Sequence, residues 1–483
     1  MKIFNNIKVA TIIGVSMFLV NSCDNVEHLN VDTKGYLNAQ PHTLMTTAQK
    51  EYMDFLTNTD QNRNNFRQYA QHWTNREFAV EDNYSQDSRA IGQSNWDDLY
   101  RDVLIELTTA KKAIEASNVT PNLASRKKNQ VAILEIQIIL AYQSLVDLFG
   151  NIPYTEALDF TSSPTPKYDD AETIYLDLAT RLDVAINNLD ISSDSFTSGD
   201  LYYNGNVASW KKLANSAKLK MGLHLGSQSM VEAAYLSGVI SSNSDNALFP
   251  YFAVENQENP LFFILNQRTQ IVPTSFLVDA MNAKSDPRMD QFFNPASKIA
   301  GVYVGYPYAE GNDNGLGYDD ASNTNDKFRD ATLPGVLFDY AETSLLLADA
   351  ANKGYNVGLT AATHYVNGIT ATMEYWGVSG NHITIYLGRA DVTYSIATAD
   401  TQIAYELWLA YYNRGFEAWT EYRRLDSPIL VAPPAAVTEA NGKVPVRNIY
   451  PLNEATLNET NYNSAATAIG GDKMTTKIFW DVN

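Results

Sequence analysis

Residues 125–154 read SRKKNQVAILEIQIILAYQSLVDLFGNIPY, and the spacing of the apolar residues in this stretch decides the fold class. Val131, Leu134, Ile138, Tyr142 and Leu145 recur three and four apart, the repeat that puts side chains on one face of an α-helix. Gly150 and Pro153 then end the pattern, since neither residue type continues a helix well. The spacing therefore predicts a helix over 125–149, and the same period predicts another over 95–116. Downstream, Ile174, Leu178, Leu182, Ala185, Ile186 and Leu189 form one apolar stripe. Trp210, Leu213, Ala214, Ala217 and Met221 form the next, with Lys211, Lys212, Lys218 and Lys220 largely off that face. The pairing returns at 337–352 with 360–375, and at 400–412 with 414–423. Paired amphipathic helices of this kind predict a mainly α chain. Its scaffold is tetratricopeptide-like, with repeats at about 95–150, 170–226, 337–376 and 400–424, each pair too small to be stable alone.

Between the pairs the composition changes. Residues 24–92 and 240–335 are rich in Asn, Asp, Gly, Tyr and Pro and read as long loops with short β-hairpins. Loops of such length inside a folded chain are usually functional. No long Pro/Gly/Ser-rich linker divides the sequence, so residues 23–483 read as one large unit carrying a loop-built face.

Two loop stretches carry the candidate binding residues. In QHWTNREFAVEDNYSQDSRAIGQSNW, residues 71–96, Trp73 and Tyr84 stand among Asn75, Arg76, Asn83, Asp87 and Arg89. A sugar ring offers C–H groups on its face and hydroxyls at its rim, so it needs an aromatic platform flanked by amides, carboxylates or guanidinium groups. Trp96 opens the first long helix and reads as a packing residue. In GVYVGYPYAEG, residues 301–311, Tyr303, Tyr306 and Tyr308 have the punctuation of an exposed hairpin. Peptide capture would use the same Arg, Asp and Asn groups, and a helical scaffold that binds only protein partners is the third reading.

Catalytic chemistry finds little support. Glu417 and Glu421 lie four apart on one helix, as a glycosidase pair could, but Arg423 and Arg424 are near enough to make ordinary helix ion pairs with them. Asp286 and Arg288 read as a conformational lock around a turn. The sequence holds no HExxH, no CxxC and no G-x-S-x-G, which leaves no zinc, cofactor or nucleophile-elbow reading. The acidic stretch 310–326 departs from the spacing of a calcium loop and reads as solvated. The formal charge of −20 repels phosphate backbones and excludes nucleic acid as a partner.

The N-terminus carries an address. Lys2 and Lys8 precede the uncharged run Val9–Val20, which is too short for a stable membrane span and has the layout of a secretory signal over 1–22. The only cysteine, Cys23, follows directly. A lone thiol cannot form an intramolecular disulfide, and acylation would mask it. Asn21 and Ser22 before it resemble the small residues of the bacterial lipobox, which implies cleavage before Cys23 and a lipid anchor.

Four further stretches resemble the SusD/RagB family, in its SusD-like nutrient-binding outer-membrane lipoprotein branch. Asp286-Pro287-Arg288 is similar to the family's DPR element, and Tyr340-Ala341-Glu342 through Ala348-Asp349-Ala350 to its YAE…AEA helix. The run QIAYELWLAYYNRGFEAWTEYRRLDSPIL, residues 402–430, resembles its late helix pair. VPVRNIYPLNEATLNETNYN together with the terminal Trp480 resembles its closing segment. The resemblance implies a non-catalytic protein, lipid-anchored at Cys23 on the outer face of the outer membrane. It would capture oligomeric nutrient, oligosaccharide or peptide, for a SusC-like TonB-dependent transporter, without cofactor or metal. Asp24 and Glu27 resemble acidic export tags for the cell surface. The family's ligand residues vary, so none is carried over; Trp73, Asn83, Tyr84, Asp87, Arg89, Tyr303 and Tyr306 are the candidates from the residues themselves.

Overall fold

In the computed structural model, which describes residues 39–159 and 161–482, the expected helix pairs form the body of a mainly α fold. The ten principal helices are α1 (Pro41–Thr57), α2 (Ile105–Ala116), α3 (Ala124–Phe149), α4 (Ala171–Asn188), α5 (Val207–His224), α6 (Gln228–Leu236), α7 (Tyr340–Asn352), α8 (Ala361–Trp376), α9 (Ala399–Ala410) and α10 (Gly415–Leu425). Helix α2 packs on α3, α3 on α4, α5 on α6, α7 on α8, and α9 on α10. The signal segment 1–22, Cys23, Asp24 and Glu27 lie outside the described residues.

Local chemistry sets the helix ends. The Asp170 carboxylate accepts from the Thr173 N–H at 2.9 Å to cap α4, and Asp339 does the same for the Glu342 N–H at 2.7 Å in α7; such caps satisfy donors that the helix itself leaves free. Gly150, at φ 77°, turns the chain out of α3 where a larger residue would be strained. Helix α3 is long and apolar enough to cross a membrane, yet its apolar stretch is almost wholly buried within the fold; it is a core helix. Upstream of α2 the helix begins earlier than its apolar period suggests, at Ile91, and passes through a π-helical turn over Asp98–Leu104.

Residues 24–92 were expected to be loops and hairpins, but α1 falls inside them. Leu44, Met45, Ala48, Tyr52, Met53, Phe55 and Leu56 bury one face of that helix, so tertiary packing makes a helix where the flanking polar composition suggests loop. Leu337 lies in a strand before α7. The strands are short and all sit in two-stranded antiparallel ribbons: β1 (Trp73–Asn75), β2 (Ile152–Pro153), β3 (Tyr168–Asp169), β4 (Ala247–Phe249), β5 (Ile271–Pro273), β6 (Phe293–Asn294), β7 (Asn323–Thr324) and β8 (Gly335–Phe338), paired β1–β5, β2–β3, β4–β8 and β6–β7.

The late helices are joined to the middle of the chain by buried charge. Glu342 of α7 takes Lys220 of α5 at 3.0 Å and Arg414 at 2.7 Å, while Arg424 of α10 reaches Asp349 of α7 at 2.7 Å and Glu421 at 2.6 Å. Glu421 also contacts His224 Nε2 at 2.9 Å. Burial opposes the charged form of Glu421, but Arg424 and His224 together hold its carboxyl well below the usual carboxylate range. The partners of Glu417 and Glu421 are thus Arg414 and Arg424. Arg423 instead lies 3.6 Å over the Trp419 ring and donates to the carbonyls of Asp147 and Val446. Asp286 and Arg288 form the expected lock, completed by Glu406 at 2.8 Å from Arg288.

Candidate functional site

The ribbon β1–β5 joins segments 198 residues apart, with Trp73 opposite Pro273, Thr74 opposite Val272 and Asn75 opposite Ile271. The loop after β6 joins the end of β5 in a parallel bridge: Tyr306 donates its N–H to the Pro273 carbonyl at 2.9 Å, and its own carbonyl accepts from the Ser275 N–H at 2.7 Å. The two loop stretches singled out in the sequence therefore meet in space. What they expose differs from what the sequence suggests.

Trp73 is fully buried. Its indole N–H donates to Tyr412 Oη at 2.9 Å, Phe328 packs edge-on against its ring, and the Arg67 guanidinium lies 4.8 Å from the ring centroid. Tyr84 is also fully buried, edge-on to Tyr69 at 5.6 Å. Tyr306 is buried with its hydroxyl donating to the Gly311 carbonyl at 2.7 Å, and the Tyr308 hydroxyl donates to the Gln68 carbonyl at 2.9 Å. Trp73, Tyr84 and Tyr306 thus have no ring face open to solvent. They are the frame on which the loops rest, because a tyrosine hydroxyl can satisfy a loop carbonyl that no ladder reaches. Tyr303 is half-buried at a different edge, where its hydroxyl donates to Asp290 at 2.5 Å. Asp87 is exposed, Arg89 pairs with the buried Glu81 at 2.9 Å, and the Asn83 carbonyl accepts from the Val437 N–H of the C-terminal segment at 2.9 Å.

Among the large apolar side chains that these loops expose are Phe78, 57 % exposed, and, further along the second loop, Tyr318, 46 % exposed, with Val80 and Leu316 exposed beside them in sequence. Asn75 creates the first: its side-chain oxygen accepts from the N–H groups of Glu77 and Phe78 at 2.9 and 3.0 Å, an Asx-type turn that swings the chain outward. Arg76 fixes the second. Its guanidinium donates to the carbonyls of Tyr318 at 3.2 Å and Thr269 at 2.8 Å, and it lies 3.6 Å from the Tyr318 ring centroid. One side of the Tyr318 ring is covered by this cation–π contact. Gly311, at φ 54°, lets the second loop run against the Glu77 carbonyl, which would lie 3.4 Å from any added Cβ.

Behind this face, the Asp82 carboxyl accepts from Thr74 Oγ1 at 2.6 Å and the Asn75 N–H at 2.8 Å. Burial pushes Asp82 up to about 7 even against those two bonds. Thr74 Oγ1 in turn accepts from the Ala309 N–H at 3.1 Å, so Asp82 ties both loops together.

The chemistry available is two exposed aromatic rings on a positioned frame, with Glu77, Glu310 and Asp319 near them in sequence. Phe78 and Tyr318 escape sequence reasoning because the sequence signal, an aromatic in a polar loop, is equally strong at Trp73 and Tyr84. Among the described residues no group of three or more His, Cys, Asp or Glu side chains is arranged to hold a metal ion.

Residues 33–451 match the family model described as "Starch-binding associating with outer membrane". No curated protein matches the chain. Among solved structures, the chain is similar to one described as a chitin-binding protein, with a TM-score of 0.81 and 27 % identity over 92 % of this chain and 100 % of that one. It is also similar to a chitin-binding SusD homolog from Flavobacterium johnsoniae, with a TM-score of 0.77 and 20 % identity over 91 % of this chain and 99 % of that one. A SusD homolog from Bacteroides uniformis gives a TM-score of 0.74 and 23 % identity over 91 % and 99 %; at these identities the last two likenesses speak to the fold. With its loop-bearing helical frame and a family match over most of its length, this chain belongs to the SusD-like family.

Proposed function

We propose that this protein is a surface-exposed lipoprotein of the outer membrane, anchored through Cys23, that binds a neutral oligosaccharide without cleaving it and hands it to a SusC-like TonB-dependent transporter. The observation that carries the binding reading is the pair Phe78 and Tyr318, two large exposed rings on loops pinned from behind by Arg76, Asp82 and Tyr306. Exposed rings on a rigid support suit a sugar face, because little side-chain freedom is lost when the ligand lands. The family description names starch, and the structural relative with 27 % identity is described as chitin-binding; both are uncharged polymers. The charge of −20 favours them over acidic glycans. Residues 1–22 would be removed as a signal peptide, leaving 23–483 as one domain whose loops face the nutrient.

A glycan array followed by calorimetry tests the binding reading. Neutral glucan or N-acetylglucosamine oligomers should bind, and Phe78→Ala with Tyr318→Ala should sharply weaken binding at this face while leaving the melting temperature unchanged. Binding of peptides in place of glycans would transfer the site to the peptide reading, and release of shorter sugars would make the protein a hydrolase. Labelling with radioactive palmitate should mark the wild type and spare Cys23→Ala.

A further inference from the structure

A second groove lies away from Phe78 and Tyr318. Its volume is about 420 Å3, and Trp96, Tyr100, Leu158, Pro164 and Pro166 line it. Trp96 sits at the start of the first long helix, where helical spacing suggests a packing role. It does pack, against Tyr100 at 4.9 Å and Phe149 at 5.2 Å, but it remains half-buried. The other six tryptophans, Trp73, Trp210, Trp376, Trp408, Trp419 and Trp480, are buried. The groove therefore holds the one tryptophan of the chain with appreciable exposure.

The walls are stiff. The Tyr100 hydroxyl donates to the Pro153 carbonyl at 2.5 Å, two prolines have fixed φ, and Leu158 is held at φ 64°, a left-handed conformation that a leucine adopts only when its surroundings impose it. Polar groups share the lining. Asp97 accepts from Gln93 Nε2 at 2.7 Å, Glu454 accepts from Tyr168 Oη at 2.8 Å, and Arg101 is already committed to Asp102 at 2.7 Å. With Asp159, three carboxylates face one guanidinium along this lining. An indole and a tyrosine ring together with carboxylate acceptors and a net negative lining are the chemistry of a site for hydroxyl-bearing, uncharged rings. A uronic or sulfated sugar would meet like charge.

We infer that the groove between Trp96, Leu158 and Glu454 is a second saccharide subsite, specific for neutral sugar units and separate from the Phe78–Tyr318 face. The inference rests on the glycan-binding reading and extends it: one chain would hold a long oligosaccharide, or two short ones, at two places.

Acrylamide quenching of tryptophan fluorescence on the full chain tests it, because the neutral quencher is not repelled by the acidic lining and Trp96 supplies the accessible signal, as loss of quenching in Trp96→Phe will verify. In the double variant Phe78→Ala/Tyr318→Ala, chitohexaose or maltohexaose should lower the quenching constant several-fold, and hexagalacturonate should not. Leu158→Gly removes one wall at a position whose φ glycine tolerates; it should weaken this protection about five-fold or more without lowering the melting temperature. Calorimetric binding of a neutral hexasaccharide to the wild type with no protection of Trp96 would overturn the second subsite and leave the glycan reading standing. Equal protection by hexagalacturonate, or protection by a proline-rich peptide and not by sugars, would overturn it as well. Absence of any sugar binding to the wild type would overturn both.

Discussion

The guanidinium carbon of Arg76 lies 3.6 Å from the centroid of the Tyr318 ring, while the same group donates to the Tyr318 carbonyl. One residue thus grips both the backbone and the ring of its partner, 242 residues away in sequence. Lysine keeps the charge but not the planar fork, so Arg76→Lys separates charge from positioning. It should lower the affinity for a neutral hexasaccharide roughly five- to ten-fold, corresponding to about 1 kcal/mol of lost preorganisation. Tyr318→Ala, which removes the platform itself, should cost more. Calorimetry at two ionic strengths checks it: an Arg76→Lys effect that disappears at high salt would point to charge and away from positioning.

Arg288 is enclosed by Asp286, Glu406 and the Tyr386 hydroxyl, with no exposed surface on the guanidinium or the two carboxylates beyond a trace. Removing the cation leaves two carboxylates buried without compensation. Breaking such a buried group costs about 3–5 kcal/mol, so Arg288→Met should lower the urea midpoint sharply. Restoring neutrality at the same time, in Asp286→Asn/Glu406→Gln/Arg288→Met, should recover a substantial part of the loss.

Asp82 gives the loop face a pH dependence of known sign. Burial raises its carboxyl from an ordinary 3.8 to about 7, so the folded state binds a proton that the unfolded state has released across that window. Its contribution to stability is fully present below about pH 4 and is lost as the pH rises through about 7. The melting temperature of the wild type, compared with that of Asp82→Asn, should therefore fall more steeply between pH 4.5 and 7.5. Parallel curves for the two proteins would show that the Asp82 carboxyl does not titrate in that range.

The helical frame was legible because its signal is local: Val131, Leu134, Ile138 and Tyr142 state their shared face within three turns, and α3 forms where they place it. Helix α1 carries the same kind of spacing through Leu44, Ala48, Tyr52 and Phe55, but stands among polar neighbours that suggest loop. The loop face was legible only to the level of which segments build it. Trp73 is interior because Tyr412 accepts its indole N–H, and Tyr306 because Gly311 and Arg76 offer carbonyls. Those partners come partly from segments hundreds of residues away, so no local pattern tells Trp73 from Phe78. Trp96 illustrates the converse, a residue at helical spacing that packs with one part of its ring and lines a groove with another.

The contact between α7 and α8 depends on a missing side chain. A Cβ placed on Gly368 of α8 would lie 2.5 Å from Leu345 Cγ and 3.3 Å from the Ala341 carbonyl oxygen of α7. Leu345 is fully buried and cannot swing aside into solvent. Gly368→Ala should therefore destabilise the protein by about 1–3 kcal/mol through overpacking, despite the roughly 1 kcal/mol that alanine gains over glycine in a helix interior. Leu345→Ala alone should cost about 2–5 kcal/mol by leaving a cavity. Combining the two relieves the first: with the leucine side chain shortened, only the Ala341 carbonyl oxygen, 3.3 Å away, stays close to the new methyl group, and alanine's helix preference is largely unopposed. Denaturant unfolding of both single variants and the double variant closes the cycle. A double variant more stable than Leu345→Ala is the expected result, whereas simple additivity would show that the helices do not approach as closely as Gly368 allows.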